Sequence, residues 1–148
     1  MRVLISDTKN RVNESVEIFG WVRGRRNHGK IIFIDLRDRS GVVQVVFTPG
    51  KDIYAIAETL RSEWVLKING KVIERPEKMI NLEIETGKIE IQPESVEVLA
   101  QATTPPFALD TDGREIGEDN RMKYRYLDLR RERMVKNMAL RHRVTKFI

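Results

Sequence analysis

Phe33 and Gln44 are the two side chains of this sequence with the most to offer chemically. Phe33 stands in the run Ile31-Ile32-Phe33-Ile34-Asp35-Leu36, and Gln44 interrupts Val42-Val43-Gln44-Val45-Val46. An exposed ring stacks a nucleobase for about 1–3 kcal/mol, and a primary amide presents both a donor and an acceptor to a base edge. Arg23, Arg25, Arg26 and Lys30 lie close by in sequence and supply cations for phosphates. Glu90, in Lys88-Ile89-Glu90-Ile91, adds a carboxylate that accepts from amino or imino groups. Together these are the ingredients of a surface for single-stranded nucleic acid.

Which way the strands face decides whether these side chains meet. Side chains alternate along a strand, so Ile32, Ile34 and Leu36 on one face leave Ile31, Phe33 and Asp35 on the other. In the next run Val43, Val45 and Phe47 form the inward set, with Val42, Gln44 and Val46 outside. A lone strand aromatic is more often core, and a one-residue slip would bury Phe33. Gln44 favours the outward reading, because burying an unpaired amide costs about 1–3 kcal/mol. For Glu90 a plain solvated strand carboxylate is the competing reading, and for the basic cluster a solvated face.

Other chemistries find no support in the residues. With no cysteine there is no disulfide scaffold, thiol nucleophile or thiolate metal site, and His28 and His142 are too few for a histidine-based zinc site. No glycine loop of P-loop or dinucleotide type is present, and His28 sits beside Gly29 without an evident nucleophile. We expect no catalytic residues, no metal and no cofactor in this chain. No apolar run approaches the roughly 20 residues of a membrane span, and an apolar signal segment is lacking. The expected compartment is the cytosol.

The elements that must position these residues follow from periodicity. After a leader over 1–14, β-rich runs cover Ser15–Arg23, Lys30–Arg37 and Val42–Phe47, with turns at 27–29 and 39–41. Ile53, Ile56, Ala57 and Leu60 have amphipathic spacing and predict a helix over Asp52–Arg61. Strand signals resume at Trp64–Ile73 and Lys88–Leu99, around loops at 74–81 and 85–87. Five strands with a helix between the third and fourth predict an all-β OB-fold, a Greek-key barrel whose second and third strands commonly bind oligonucleotides. A plain β-sandwich is the alternative topology. We place the barrel domain at residues 1–106, a linker or hinge at 107–133, and the start of a helix at 134–148.

The 148 residues carry 27 Lys and Arg against 22 Asp and Glu, a net charge of +5. Residues 121–148 hold ten bases and two acids, giving +8, so residues 1–120 carry −3. The terminal helix carries apolar residues at Met134, Met138, Leu140, Val144, Phe147 and Ile148 and has no recognisable end cap. It packs back on the barrel or leads into a further domain.

The strings Phe19-Gly20-Trp21-Val22-Arg23-Gly24-Arg25-Arg26 and Ile32 to Phe47 resemble the N-terminal anticodon-binding domain of class II aspartyl-tRNA synthetases. So does Lys123-Tyr124-Arg125-Tyr126-Leu127-Asp128-Leu129-Arg130-Arg131, whose form is that of the bacterial type, and Thr86-Gly87-Lys88-Ile89-Glu90 matches a further segment. The lysyl and asparaginyl enzymes are the near alternatives. A stand-alone OB-fold single-strand binder or tRNA chaperone is the alternative of another kind.

The resemblance implies roles. Phe33 would stack on the middle anticodon base, a uridine, Gln44 would bond its edge, and Glu90 would read the guanine at the first position. Arg26 would hold the anticodon backbone. Weaker tRNA contacts would come from Arg23, Arg25, His28, Lys30, Arg61, Arg75, Lys78 and Asn81. Gly24 departs from the arginine often found there in the family, so one phosphate contact that the resemblance implies does not carry over to this sequence. The implied partner is the aspartate tRNA, with the asparagine tRNA as a second substrate of relaxed enzymes. The family's ATP and magnesium sites lie in a catalytic domain that the 148 residues do not include. The expectation is therefore an N-terminal piece of a longer, homodimeric synthetase, itself monomeric and able to bind tRNA without charging it.

Overall fold

The computed structural model describes residues 2–50 and 52–148, which divide into two compact units between Thr104 and Pro105. In the first unit five strands, β1 (Ser15–His28), β2 (Ile31–Arg37), β3 (Val42–Phe47), β4 (Val65–Glu74) and β5 (Ile89–Ala100), close into a barrel in the order β1-β2-β3-β5-β4. Helix α1 (Ile53–Thr59) lies between β3 and β4. This is the OB-fold expected from the pattern, with all neighbours antiparallel except β3 and β5, which meet in parallel at Val45 and Ile91.

Alternation builds the interior. Val16, Ile18 and Val22 of β1, Ile32, Ile34 and Leu36 of β2, Val43, Val45 and Phe47 of β3, Leu66, Ile68 and Val72 of β4, and Ile89 and Ile91 of β5 form one buried cluster with Ala57 and Leu60. Each such side chain contributes about 1.5–3 kcal/mol by leaving water. Gly20 makes the closest approach in β1: a Cβ there would stand 2.6 Å from the Arg37 carbonyl oxygen and 2.9 Å from Leu36 Cγ.

Several boundaries move relative to the sequence expectation. β1 runs five residues further, to His28, because its first half pairs with β4 and its second half with β2. The hairpin turn is accordingly Gly29-Lys30 rather than 27–29, with Gly29 at φ +60°, the conformation two-residue hairpins favour. The leader is partly ordered as a 3₁₀ helix over Ile5–Asn10 whose Ile5 joins the core. Asp38 fastens it: one carboxylate oxygen accepts from the Ile5 N–H at 3.0 Å while the other accepts from Ser40 and Gly41 N–H groups in the β2–β3 turn.

The second unit holds α2 (Glu118–Lys123), α3 (Arg125–Asp128) and α4 (Glu132–Phe147). Its centre is the wholly buried Arg131, whose Nε donates to Asp128 at 2.9 Å and whose Nη1 donates to the Thr111 carbonyl at 3.0 Å. The guanidinium lies over the Phe107 ring at 5.1 Å, and Phe107 meets Tyr124 edge-on. Gly113, at φ +77°, leaves room that a Cβ would take from the Arg131 side chain. No residue of α4 is buried.

Candidate nucleic-acid interface

The register across β1, β2, β3 and β5 decides what the barrel shows to the outside. Arg26 pairs with Phe33, Phe33 with Val46, Asp35 with Gln44, and Ile73 with Glu90, so all these residues share the outer face. The β3–β5 pairing at Val45 and Ile91 sets Glu90 beside Gln44. The Thr86 hydroxyl donates to the Val42 carbonyl and ties the start of β5 to β3. Phe33, Gln44, Glu90 and Arg26 are thereby brought together on one side of the barrel.

Phe33 is half-buried, and no ring or cation–π contact engages it among the described residues. The Gln44 amide is likewise half-buried, with no side-chain hydrogen bond among those residues. A ring face and an amide without internal partners are suited to stacking and edge recognition. Val46, expected outside, does face outward but is only 9% exposed. Directly cross-strand residues shield one another, and here Val46 stands opposite the Phe33 ring.

Charge on this face alternates in sign. Arg26 Nη2 donates to both Asp35 oxygens, at 3.0 and 3.1 Å. Arg75, just beyond β4, has its Nε 3.7 Å from a Glu90 oxygen. Burial pushes the Glu90 carboxyl above its ordinary range, and the neighbouring Arg75 opposes that shift without cancelling it. Arg75 itself is drawn below the usual guanidinium value, first by burial, against the attraction of Glu90 and Asp35. Its Nε and Nη2 are shielded from water with no hydrogen-bond acceptor. A buried donor of that kind costs stability unless an acceptor arrives.

The weaker candidates scatter. A bulge between Val22 and Gly24 inserts Arg23 and reverses the alternation of β1, so that Arg26 and His28 share the face of Phe33 while Arg25 pairs with inward-facing Ile34. Arg25 lines a separate cleft with Asn27, Leu60, Arg61 and Ser62. Arg61 is occupied there, donating from Nη1 to the Glu58, Thr59 and Leu60 carbonyls at the end of α1. Lys30 lies in the β1–β2 turn. Lys78 lies on a short 3₁₀ turn over Glu77–Met79, and the Asn81 side chain accepts from the Glu83 N–H. Asp35 is the residue that sequence reasoning passed over. Its signal was its spacing, two residues from Phe33 on the same face.

Among the described residues, no three His, Asp or Glu side chains gather as a metal site, and no helix is long and apolar enough to cross a membrane. A closed five-stranded barrel that shows a ring and an amide on its second and third strands, with arginines from β1 and just beyond β4 beside them, defines an OB-type nucleic-acid reader. A family model described as an OB-fold nucleic acid binding domain, of the tRNA anticodon type, matches residues 16–99, and the chain belongs to that family. It is 52% identical over 143 residues both to the aspartate–tRNA ligase of Bacillus licheniformis and to the aspartate–tRNA(Asp/Asn) ligase of Bacillus subtilis. Those matches take in 95% of this chain and 24% of each relative, so the chain spans about a quarter of their length. The likeness is to the N-terminal, anticodon-binding region of the bacterial aspartate enzymes. Among solved structures, asparaginyl-tRNA synthetase of Entamoeba histolytica with asparaginyl-adenylate shares the fold at TM-score 0.79 and 22% identity, over 99% of this chain and 34% of that one. The asparaginyl-tRNA synthetase of Pyrococcus horikoshii with asparaginyl-adenylate matches at TM-score 0.70 and 25% identity, over 88% of this chain and 29% of that one.

Proposed function

We propose that this chain is the part of a bacterial-type aspartate–tRNA ligase that recognises the tRNA anticodon. The observation that carries the reading is the gathering of Phe33, Gln44, Glu90 and Arg26 on one outer face, with Phe33 and Gln44 on the second and third strands, where OB barrels bind oligonucleotides. Phe33 stacks the middle base and Gln44 bonds its edge. Glu90, ionised, accepts from the first-position guanine, and Arg26 holds the backbone. Arg75 brings two donors without acceptors to the same side.

The aspartate and asparagine tRNAs share the two anticodon positions these residues would read. The Bacillus subtilis relative is named for both tRNAs and the Bacillus licheniformis relative for aspartate alone. The reading therefore takes the aspartate tRNA as partner and the asparagine tRNA as a second ligand of the same face. The joining of aspartate to tRNA, with its ATP and magnesium, belongs to the three quarters of the parent enzyme outside this chain, as does dimer formation. The work is cytoplasmic.

The test is a titration of the chain with a stem-loop RNA bearing the aspartate anticodon, at fixed salt. Phe33→Ala and Gln44→Ala are each expected to weaken binding by about 1–3 kcal/mol without unfolding the barrel. Equal affinity of wild type and both variants overturns the reading.

A further inference from the structure

We infer that Asp35 is a positioning residue for RNA binding, holding Arg26 ready over the outer face. The inference rests on the reading of that face as an anticodon surface. Arg26 on β1 stands opposite Phe33, and Asp35 lies two residues along β2, so the two side chains meet diagonally across the strand pair. Both Asp35 oxygens take their hydrogen bonds from one nitrogen, Arg26 Nη2. Nε and Nη1 stay outside the pair and are the donors a phosphate would meet. The Arg26 side chain is 60% exposed and that of Asp35 only 26%, so the carboxylate is the fixed half and the guanidinium the presented half.

A carboxylate among phosphate-binding groups poses a question of sign. Asp35 repels RNA through its charge and helps RNA by ordering Arg26. An arginine on a free stem loses rotamer freedom when it grips a phosphate, and one already pinned by its neighbour has lost it beforehand. The repulsion is small here because Arg26 neutralises Asp35 at contact distance and the electrostatic reach of Arg75 also falls on it. Ordering outweighs repulsion, so removal of a negative charge from an RNA-binding face weakens binding.

That reversed sign gives the experiment. Wild type, Asp35→Asn, Arg26→Gln and the double variant are titrated with the aspartate-anticodon stem-loop over a range of salt, and their melting is followed in parallel. Asp35→Asn is expected to lower affinity on the order of three- to ten-fold and to reduce the slope of log K against log salt by about 0.7, the loss of one phosphate contact. In the Arg26→Gln background the same change is expected to cause no loss, and to tighten binding slightly, because the carboxylate there has lost the cation that neutralises it and only its repulsion of RNA is removed. Asp35→Ser, which removes the carboxylate without setting an amide against the guanidinium, is expected to act in the same direction. Tighter binding with a steeper salt slope where Arg26 is present, or an equal loss with and without Arg26, overturns the inference. So does unfolding of both Asp35 variants, which makes the residue structural. If the wild-type chain fails to bind the stem-loop at all, the anticodon reading falls, and this outcome is separate from every outcome among the variants.

Discussion

Arg75 Nε lies 3.7 Å from a Glu90 carboxylate oxygen while the two side chains are only 4% and 15% exposed. At that separation in the interior the attraction is considerable, yet both groups are shifted against their charged forms, with burial the first cause in each. The pair is thus kept close without being fully compensated. A surface that holds a desolvated acid next to an arginine with unmatched donors is set up to gain when a ligand supplies the missing hydrogen bonds.

The first expectation concerns pH. The folded-state pKa of Glu90 is raised, so the fold gains relative stability from this residue as pH falls and loses it as pH rises through that value. Melting temperatures of wild type measured against Glu90→Gln should therefore improve as pH is lowered from neutral to about 5. On the proposed anticodon reading RNA affinity should move the opposite way over the same window, because the ionised carboxylate offers two acceptor oxygens to the guanine edge and the protonated one gives up one of them. A pH-independent difference in melting between the two proteins would contradict the assignment of Glu90 as a burial-shifted acid.

Substitution at Phe33 should separate stacking from packing. Phe33→Leu keeps an apolar side chain opposite Val46 but removes the π-face. Binding of the stem-loop is expected to fall by about 1–3 kcal/mol, with thermal stability changed by less than about 1.5 kcal/mol. A large drop in melting temperature with unchanged affinity would place the ring in the core instead.

The outer face was legible in the sequence where a single residue settled the strand's orientation. Gln44 among four valines allowed only one economical register, and that register carried Phe33 outward with it. The arginines were not legible in the same way. Counting by twos from Val16, Ile18 and Val22 would put Gly24 and Arg26 inside and Arg25 outside, but the bulge at Arg23 inverts the count and turns Arg26 toward Phe33. A bulge depends on how β1 passes from β4 to β2, a tertiary constraint that local pattern does not encode. The same holds for Glu90, which as a strand carboxylate suggested solvent. Its neighbour is Arg75, fifteen positions earlier in the chain, which only the pairing of β4 with β5 brings beside it.

Gly20 shows how tightly β1 must lie on β2. Since a Cβ would come within 2.6 Å of the Arg37 carbonyl oxygen, which is backbone and cannot swing aside, Gly20→Ala forces the strands apart. Urea unfolding is expected to show a loss of about 1–3 kcal/mol. Gly24→Ala is the matched control, because its added Cβ would find only Asp35 Oδ2, at an ordinary 3.7 Å. Equal losses at the two glycines would show that the close approach to the Arg37 carbonyl does not decide the outcome.

The last expectation lies in the second unit, where Asp128 and Arg131 are wholly buried and 2.9 Å apart. A buried ion pair adds little over an apolar replacement, but removing one partner strands the other charge, at a cost of about 3–5 kcal/mol. Arg131 has a further demand, since its Nη2 already lacks an acceptor. Asp128→Asn keeps the shape of the side chain and takes away the charge that holds Nε. Amide hydrogen exchange in residues 107–131 is therefore expected to quicken by orders of magnitude in Asp128→Asn. The double change Asp128→Asn with Arg131→Met should restore part of the protection, because the stranded guanidinium is then gone while the bulk over Phe107 is largely kept. Should the double variant exchange faster than Asp128→Asn alone, the guanidinium's bonds to Thr111 would be holding the unit more firmly than its pairing with Asp128 does.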